Sequence, residues 1–290
     1  MTLSTRRLGR TGHHSSVAVL GGAMFWNASE ATTTAAFEAA LTAGVNHVDI
    51  APSYGHAEIV AGPLVAAHRA QLFVGEKTGR RDPDGVRAQL ETSLSRLGCD
   101  SFDLYQVHGV TGLDDLDTRA GAFETILRAR DEGLTRFVGI TGHDLGTAAA
   151  QLEAVRRYDL DTVMLPVYPR VLADPDYAAD LAALLRECAR RDVGVMAIKV
   201  GAWRPWGDRE KTALPWYEPF TDPEHLHRAV RFTLSTPGVH ACCTPGDPDL
   251  LPLVLAAAEA YEPMPADERA ALVEESAAWD LIFPLEANAR

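Results

Sequence analysis

Short apolar runs punctuate this sequence at intervals, each closing on glycine, proline or a charged residue. They are Val17–Leu20, Val45–Ile50, Leu72–Gly75, Phe102–Val107, Phe137–Ile140, Thr162–Val167, Val193–Ile198 and Val239–Cys243. Most are apolar along their whole length and do not alternate. A strand of that kind is buried on both faces, as in a parallel sheet covered by helices. Helical patterns lie between the runs. Ala31–Ala43 follows the cap candidates Asn27 and Ser29 and stops at Gly44. Val86–Leu97 follows Asp84, stops at Gly98, and spaces Val86, Leu90, Leu94 and Leu97 along one face. Phe123–Arg130, Leu145–Tyr158, Tyr177–Arg191, Pro223–Leu234 and Leu250–Tyr261 continue the alternation, and Asp267–Ala278 adds a helix at the tail.

Strand-helix units on this pattern build either a parallel barrel or a long doubly wound sheet. Eight strand candidates favour a (β/α)8 TIM barrel as a single domain across residues 1–290. A GxGxxG fingerprint is absent, which weakens the doubly wound dehydrogenase alternative. The longest irregular stretch is Trp203–Phe220, rich in Trp, Pro and Gly. Long loops in compact domains carry function, so the segment at about 201–222 is predicted to fold over an active site.

Composition changes the picture only by exclusion. The 290 residues suffice for one large core, and 47% hydrophobic against 23% charged residues is ordinary for a globular protein. The net charge of −13 opposes nucleic acid or an anionic membrane as the main partner. Cys99, Cys188, Cys242 and Cys243 form no metal-type pair, so free thiols in a reducing compartment and no metal site are expected. The first twelve residues hold no apolar h-region and no run is long enough to span a membrane, which points to the cytoplasm. Oligomeric state is not legible.

In a (β/α)8 barrel the active site lies at the C-terminal ends of the strands. The polar residues closing consecutive strands here are Asp49 and Tyr54, then Lys77, then His108. Reduction of a carbonyl by hydride leaves an alkoxide that needs a proton. A phenol, with a reference pKa near ~10, is a poor donor or acceptor at neutral pH unless a neighbouring ammonium tunes it. Tyr54 then serves as acid or base, Lys77 as its tuner, Asp49 as the anchor of Lys77, and His108 as the group that orients the carbonyl. Each residue alone has a plainer reading as packing or a structural ion pair; together on adjacent strands they read as chemistry.

These residues carry a resemblance. Asp49-Ile50-Ala51-Pro52-Ser53-Tyr54-Gly55, followed by Glu58 and Gly62, resembles the first signature of the aldo-keto reductases. Val86–Leu97 followed by Asp103–His108 is similar to the second, and Glu76-Lys77-Thr78 sits where that family has its catalytic lysine. Gly133–Ile140 resembles the turn into strand five, and Pro237-Gly238-Val239 with Pro245-Gly246 resembles the approach to the cofactor's adenylate end. The resemblance runs from about Arg7 to Ala258. It implies a nicotinamide-dependent barrel reducing a carbonyl or oxidising an alcohol, with the four residues in the roles above. It also implies a cofactor wall drawn from Ala23, Met24, Asp49, Thr141, Gly142, His143, Lys199, Gly201, Pro245, Gly246 and Asp247. The substrate pocket would be formed by Trp26, Tyr54, His108, Trp203 and Trp206.

The sequence departs from the family in places. Thr141-Gly142-His143 replaces the usual Ser-Asn pair that holds the nicotinamide carboxamide, with His143 expected to supply a donor. Leu165 stands at the expected Gln position of strand six, which removes one hydrogen bond. Lys199 is expected near the pyrophosphate. Between Pro245 and Ala258 there is no basic residue for a 2'-phosphate, while Asp247 and Asp249 are acidic. NADP(H) is favoured with NAD(H) open, because an acid can accept from a ribose 2'-hydroxyl. Two other readings stand beside the reductase. One is a cofactor-binding barrel with a regulatory role; the other is a lyase or isomerase forming a Schiff base on Lys77, which the Asp49 partner opposes.

Overall fold

Residue parity along each strand decides what faces the barrel axis and what faces the helices. A computed structural model describes residues 2–284. Eight parallel strands close into a barrel: β1 (Ala18–Gly21), β2 (His47–Asp49), β3 (Phe73–Thr78), β4 (Phe102–Val110), β5 (Thr135–Gly142), β6 (Thr162–Pro166), β7 (Gly194–Ile198) and β8 (Ala241–Cys243). Val19, Phe73, Leu104, Met164, Met196, Ala241 and Cys243 point inward and fill the axis with Leu8. Their neighbours Ala18, Leu20, Val48, Val74, Tyr105, Leu165 and Cys242 point outward into the helix layer. Both sets are apolar, which is why the strands read as unbroken hydrophobic runs.

The layer of helices comprises α1 (Glu30–Ala43), α2 (Ala57–His68), α3 (Pro83–Leu97), α4 (Ala120–Asp131), α5 (Thr147–Arg157), α6 (Pro175–Arg191), α7 (Pro223–Leu234), α8 (Leu251–Glu259) and the tail helix α9 (Ala266–Ser276). Ser29 caps α1 by accepting from the Thr32 amide, and Gly44 ends it in the left-handed conformation that a side chain disfavours. The cap of α3 is Asp82, accepting from the Gly85 amide, and not Asp84, which lies inside the first turn. With Pro83 at the first helical position, the helix starts three residues before Val86, where the apolar spacing begins.

The sequence pattern does not reveal α2. Its mean composition is apolar without a polar face, and Gly62-Pro63 stands in its middle. The glycine has a packing reason. A methyl group at Gly62 would lie 2.1 Å from the Arg96 carbonyl oxygen, so the α2 and α3 backbones meet there. Gly62→Ala gains about 1 kcal/mol of helix propensity but forces two helices apart. The clash dominates, and a net loss of about 2 kcal/mol is expected. A lowered urea midpoint with an unchanged slope checks it.

The N-terminal hairpin, Thr5–Arg7 paired with His14–Ser16, closes the bottom of the barrel. Leu8 enters the axis and His13 stacks on Phe73 with ring centroids 4.4 Å apart. The 201–222 segment is not irregular throughout. Ala202–Pro205 pairs with Tyr217–Pro219 as an antiparallel hairpin beyond β7.

Candidate active site

Inward parity at the C-terminal ends of β2, β3 and β4 gathers the polar residues. Asp49 follows Val48, Lys77 follows Glu76, and Gln106 and His108 follow outward Tyr105 and Val107. Lys77 Nζ donates to Asp49 Oδ2 at 2.5 Å and to the Ile50 carbonyl at 2.9 Å. Both side chains are almost wholly excluded from solvent. Burial opposes the ammonium, but the Asp49 carboxylate and the Tyr54 phenol hold the Lys77 pKa above its ordinary value. The lysine is therefore a fixed cation. Gln106 Nε2 donates to the other Asp49 oxygen at 3.2 Å. Gln106 had no role in the sequence reading; its place two residues before His108 on the same inward face is the signal that would have found it.

Tyr54 sits in the Ala51–Ala57 turn, where its amide donates to Ala51 and its carbonyl accepts from Ala57. Lys77 Nζ lies 5.0 Å from the Tyr54 ring centroid. Burial pushes the phenol up to about 12, and Lys77 pulls against that rise. At neutral pH Tyr54 carries its proton. The His108 ring meets Tyr54 edge to face at 5.7 Å. Burial, reinforced by Lys77, holds the His108 imidazole well below its ordinary pKa, so it is neutral. Ser53 Oγ faces His108 Nδ1 at 3.4 Å. The His108 carbonyl accepts from buried Arg119, which also grips Asp115. Arg119 thus pins the end of β4, a long-range role that no motif announces.

One pocket collects Asp49, Tyr54, Lys77, His108, Thr141, His143, Lys199, Ala23, Pro245 and Gly246. Gly21, Met164, Ile198, Tyr217, Cys243 and Thr244 complete its lining. Thr141 Oγ1 accepts from the Gly109 amide at 3.2 Å, leaving its own proton to donate. His143 Nδ1 is buried and has no hydrogen-bond partner among the described residues.

Several expected pocket residues lie elsewhere. Met24 is buried in the outer core. Gly142 packs against α5, where a methyl group would meet Thr147 Oγ1 at 1.7 Å. Gly201 has a left-handed φ of 75° and its carbonyl accepts from the Phe220 amide. Asp247 is turned into the fold: its two oxygens accept from the Asp249 and Leu214 amides, each at 2.9 Å. Trp26 is half exposed at the rim beside Gly55. Trp203 stacks on Phe220. Trp206 is buried and donates its indole N–H to the Pro215 carbonyl. From the aromatic hairpin it is Tyr217 that lines the pocket. On β6 the residue facing the pocket is Met164, because Leu165 points outward.

The neutral histidines carry a stability cost at acid pH. Burial holds His47, His108 and His143 below the ordinary value, His143 at about 3. Each binds a proton more readily when unfolded, so stability is fully present above about pH 6.5 and falls as pH drops through that value. His143 alone is worth about 2 kcal/mol between pH 7 and pH 5 by this linkage. Urea midpoints across that range should fall, and His143→Gln should flatten the slope.

Residues 18–204 match the model of the aldo/keto reductase family. An uncharacterized oxidoreductase of Bacillus subtilis is 32% identical over 116 residues, covering 35% of this chain and 37% of that protein. A D-threo-aldose 1-dehydrogenase of Pseudomonas is 29% identical over 213 residues, 62% of each chain. The chain thus spans less than two thirds of the length of these curated relatives. The solved aldo-keto reductase AKR11C1 from Bacillus halodurans superposes with a TM-score of 0.73 at 21% identity, covering 95% of this chain and 97% of that one, a likeness of fold.

Proposed function

The chain belongs to the aldo/keto reductase family, and from that premise we propose that it reduces a small carbonyl compound with a nicotinamide cofactor, Tyr54 donating the proton. The observation that carries this reading is the phenol of Tyr54 set against the buried Lys77–Asp49 pair in the pocket that His108 also lines. The cofactor supplies the hydride when bound. The residues present suit such a group: His143 has a buried nitrogen with no hydrogen-bond partner among the described residues, and Thr141 has a hydroxyl proton to donate. Gly21, Ala23, Thr244, Pro245 and Gly246 form a wall of mostly small side chains beside them.

The chain's own residues do the rest. Neutral His108 donates a hydrogen bond that orients the carbonyl oxygen. Tyr54 gives its proton to that oxygen as negative charge develops there. Lys77, held charged by Asp49, stabilises the phenolate left behind. At neutral pH Tyr54 keeps its proton, the form that donation requires. NADP(H) is preferred over NAD(H) in this reading. Asp247 spends both carboxylate oxygens on backbone amides, which takes them away from a ribose 2'-hydroxyl. Among the described residues no helix is long and apolar enough to cross a membrane. The four cysteines are free and buried, which fits a reducing cytoplasm.

Titration of the purified protein with NADPH and NADH, followed by nucleotide fluorescence, tests the cofactor assignment. Saturable binding with NADPH at least about tenfold tighter, about 1.4 kcal/mol, is expected. Tighter NADH binding would reverse the preference, and no binding of either would remove the cofactor.

A further inference from the structure

Lysine is scarce in this chain. Of 27 basic residues only Lys77, Lys199 and Lys211 are lysines, leaving 24 arginines. Arginine therefore serves nearly every surface cation, yet two of the three lysines line the active-site pocket. Lys77 has its reason in the pair with Asp49. Lys199 has no carboxylate and no hydrogen-bond acceptor among the described residues. Its ammonium lies 4.9 Å from the ring centroids of both Trp216 and Tyr217. Its backbone holds φ at 67°, a left-handed conformation that costs about 1 kcal/mol for a residue with a side chain and clusters at functional sites. A guanidinium could hold a cation on aromatic faces equally well. What lysine alone offers there is a compact amine able to lose its proton.

We propose that Lys199 is a second carbonyl-reactive group of this pocket, forming a reversible imine with aldehydes that enter it. The proposal rests on the carbonyl-binding reading of the pocket. The Nζ lone pair forms a C–N bond to the aldehyde carbon as the C=O π pair moves to oxygen. Proton transfer from nitrogen to oxygen gives the carbinolamine. Loss of that hydroxyl as water, protonated by an acid of the same pocket such as Tyr54, leaves C=N. Nothing is oxidised or reduced. The environment favours the neutral amine: burial brings Lys199 down to about 7. Lys77 cannot substitute, because Asp49 keeps it protonated. In turnover, imine formation appears as inhibition at high aldehyde concentration that strengthens as pH rises.

The full chain without added nucleotide is incubated with benzaldehyde and cyanoborohydride, which reduces any imine to a stable secondary amine, and is then mapped by peptide mass spectrometry. One benzyl group on Lys199 is expected. Its rate should rise about tenfold from pH 6 to pH 8 and then level, whereas an amine of ordinary basicity keeps climbing through pH 9. Both Lys199→Met and Lys199→Arg should lose this label while keeping native circular dichroism; the arginine variant retains the cation. Label confined to Lys77, Lys211 or the terminal amine would overturn the proposal, as would a Lys199 rate still climbing at pH 9. The labelling needs no hydride donor, so its failure is distinguishable from a failure of reductase turnover.

Discussion

Tyr54→Phe should lower kcat for aldehyde reduction by about 10²–10⁴-fold, the range of a lost general acid, while nicotinamide binding stays within a factor of a few. The substitution removes one hydroxyl and leaves the ring that packs against His108 at 5.7 Å. Geometry and burial are retained, so the loss reports proton donation. Lys77, the cation beside the phenol, is committed to Asp49 and the Ile50 carbonyl. Steady-state rates with a panel of aldehydes, together with nucleotide titration of the variant, separate the two effects. A variant turning over at more than a tenth of the parent rate would show that another group supplies the proton.

The second large effect is on stability. Lys77→Met strands the Asp49 carboxylate, 3% exposed, with Gln106 as its remaining side-chain donor. Removing one member of a buried ion pair costs about 3–5 kcal/mol, because the surviving charge keeps its desolvation penalty. Asp49→Asn is expected to cost a similar amount by stranding Lys77. Combining the two substitutions removes both charges, and the double variant should recover about 2 kcal/mol or more relative to the sum of the singles. Activity should not recover, since Tyr54 has lost the cation that stabilises its phenolate. Urea midpoints for the four proteins close the cycle. Additive losses would mean that the 2.5 Å contact does not couple the two residues.

The barrel was legible because eight apolar runs were countable, and each lies on an observed strand within a few residues. The acid-base set was legible because polar residues are conspicuous at the ends of apolar strands. What was not legible depends on facing. In a strand apolar on both sides, parity cannot be read from hydrophobicity, so Leu165 stood for the pocket position that Met164 occupies. Ala23 and Met24 lie beyond the first strand in the Gly22–Phe25 helical turn, which sends one to the pocket and the other to the core, a facing that strand spacing does not predict. In the aromatic segment, three tryptophans and Tyr217 together suggest a substrate-facing lid. Pairing inside the hairpin sets their places: Trp203 stacks on Phe220, Trp206 donates to Pro215, and Tyr217 lines the pocket. Asp247 read as a ligand-facing acid because nothing local announces that Leu214, 33 residues earlier, would claim its carboxylate. Helix α2 is hidden in the sequence by the Gly62-Pro63 pair, of which the glycine has its reason in the neighbouring helix.

The central step of the proposed reaction is hydride passing to a carbonyl bound beside Tyr54. The most direct measurement is a single turnover: protein loaded with one equivalent of NADPH is mixed with excess aldehyde, and reduced-nucleotide absorbance is followed beside quantification of the alcohol. One alcohol formed per nucleotide oxidised, with the reaction nearly abolished in Tyr54→Phe, is the predicted result. Bound nucleotide whose absorbance does not change across the aldehyde panel would contradict it and leave the barrel a binding protein.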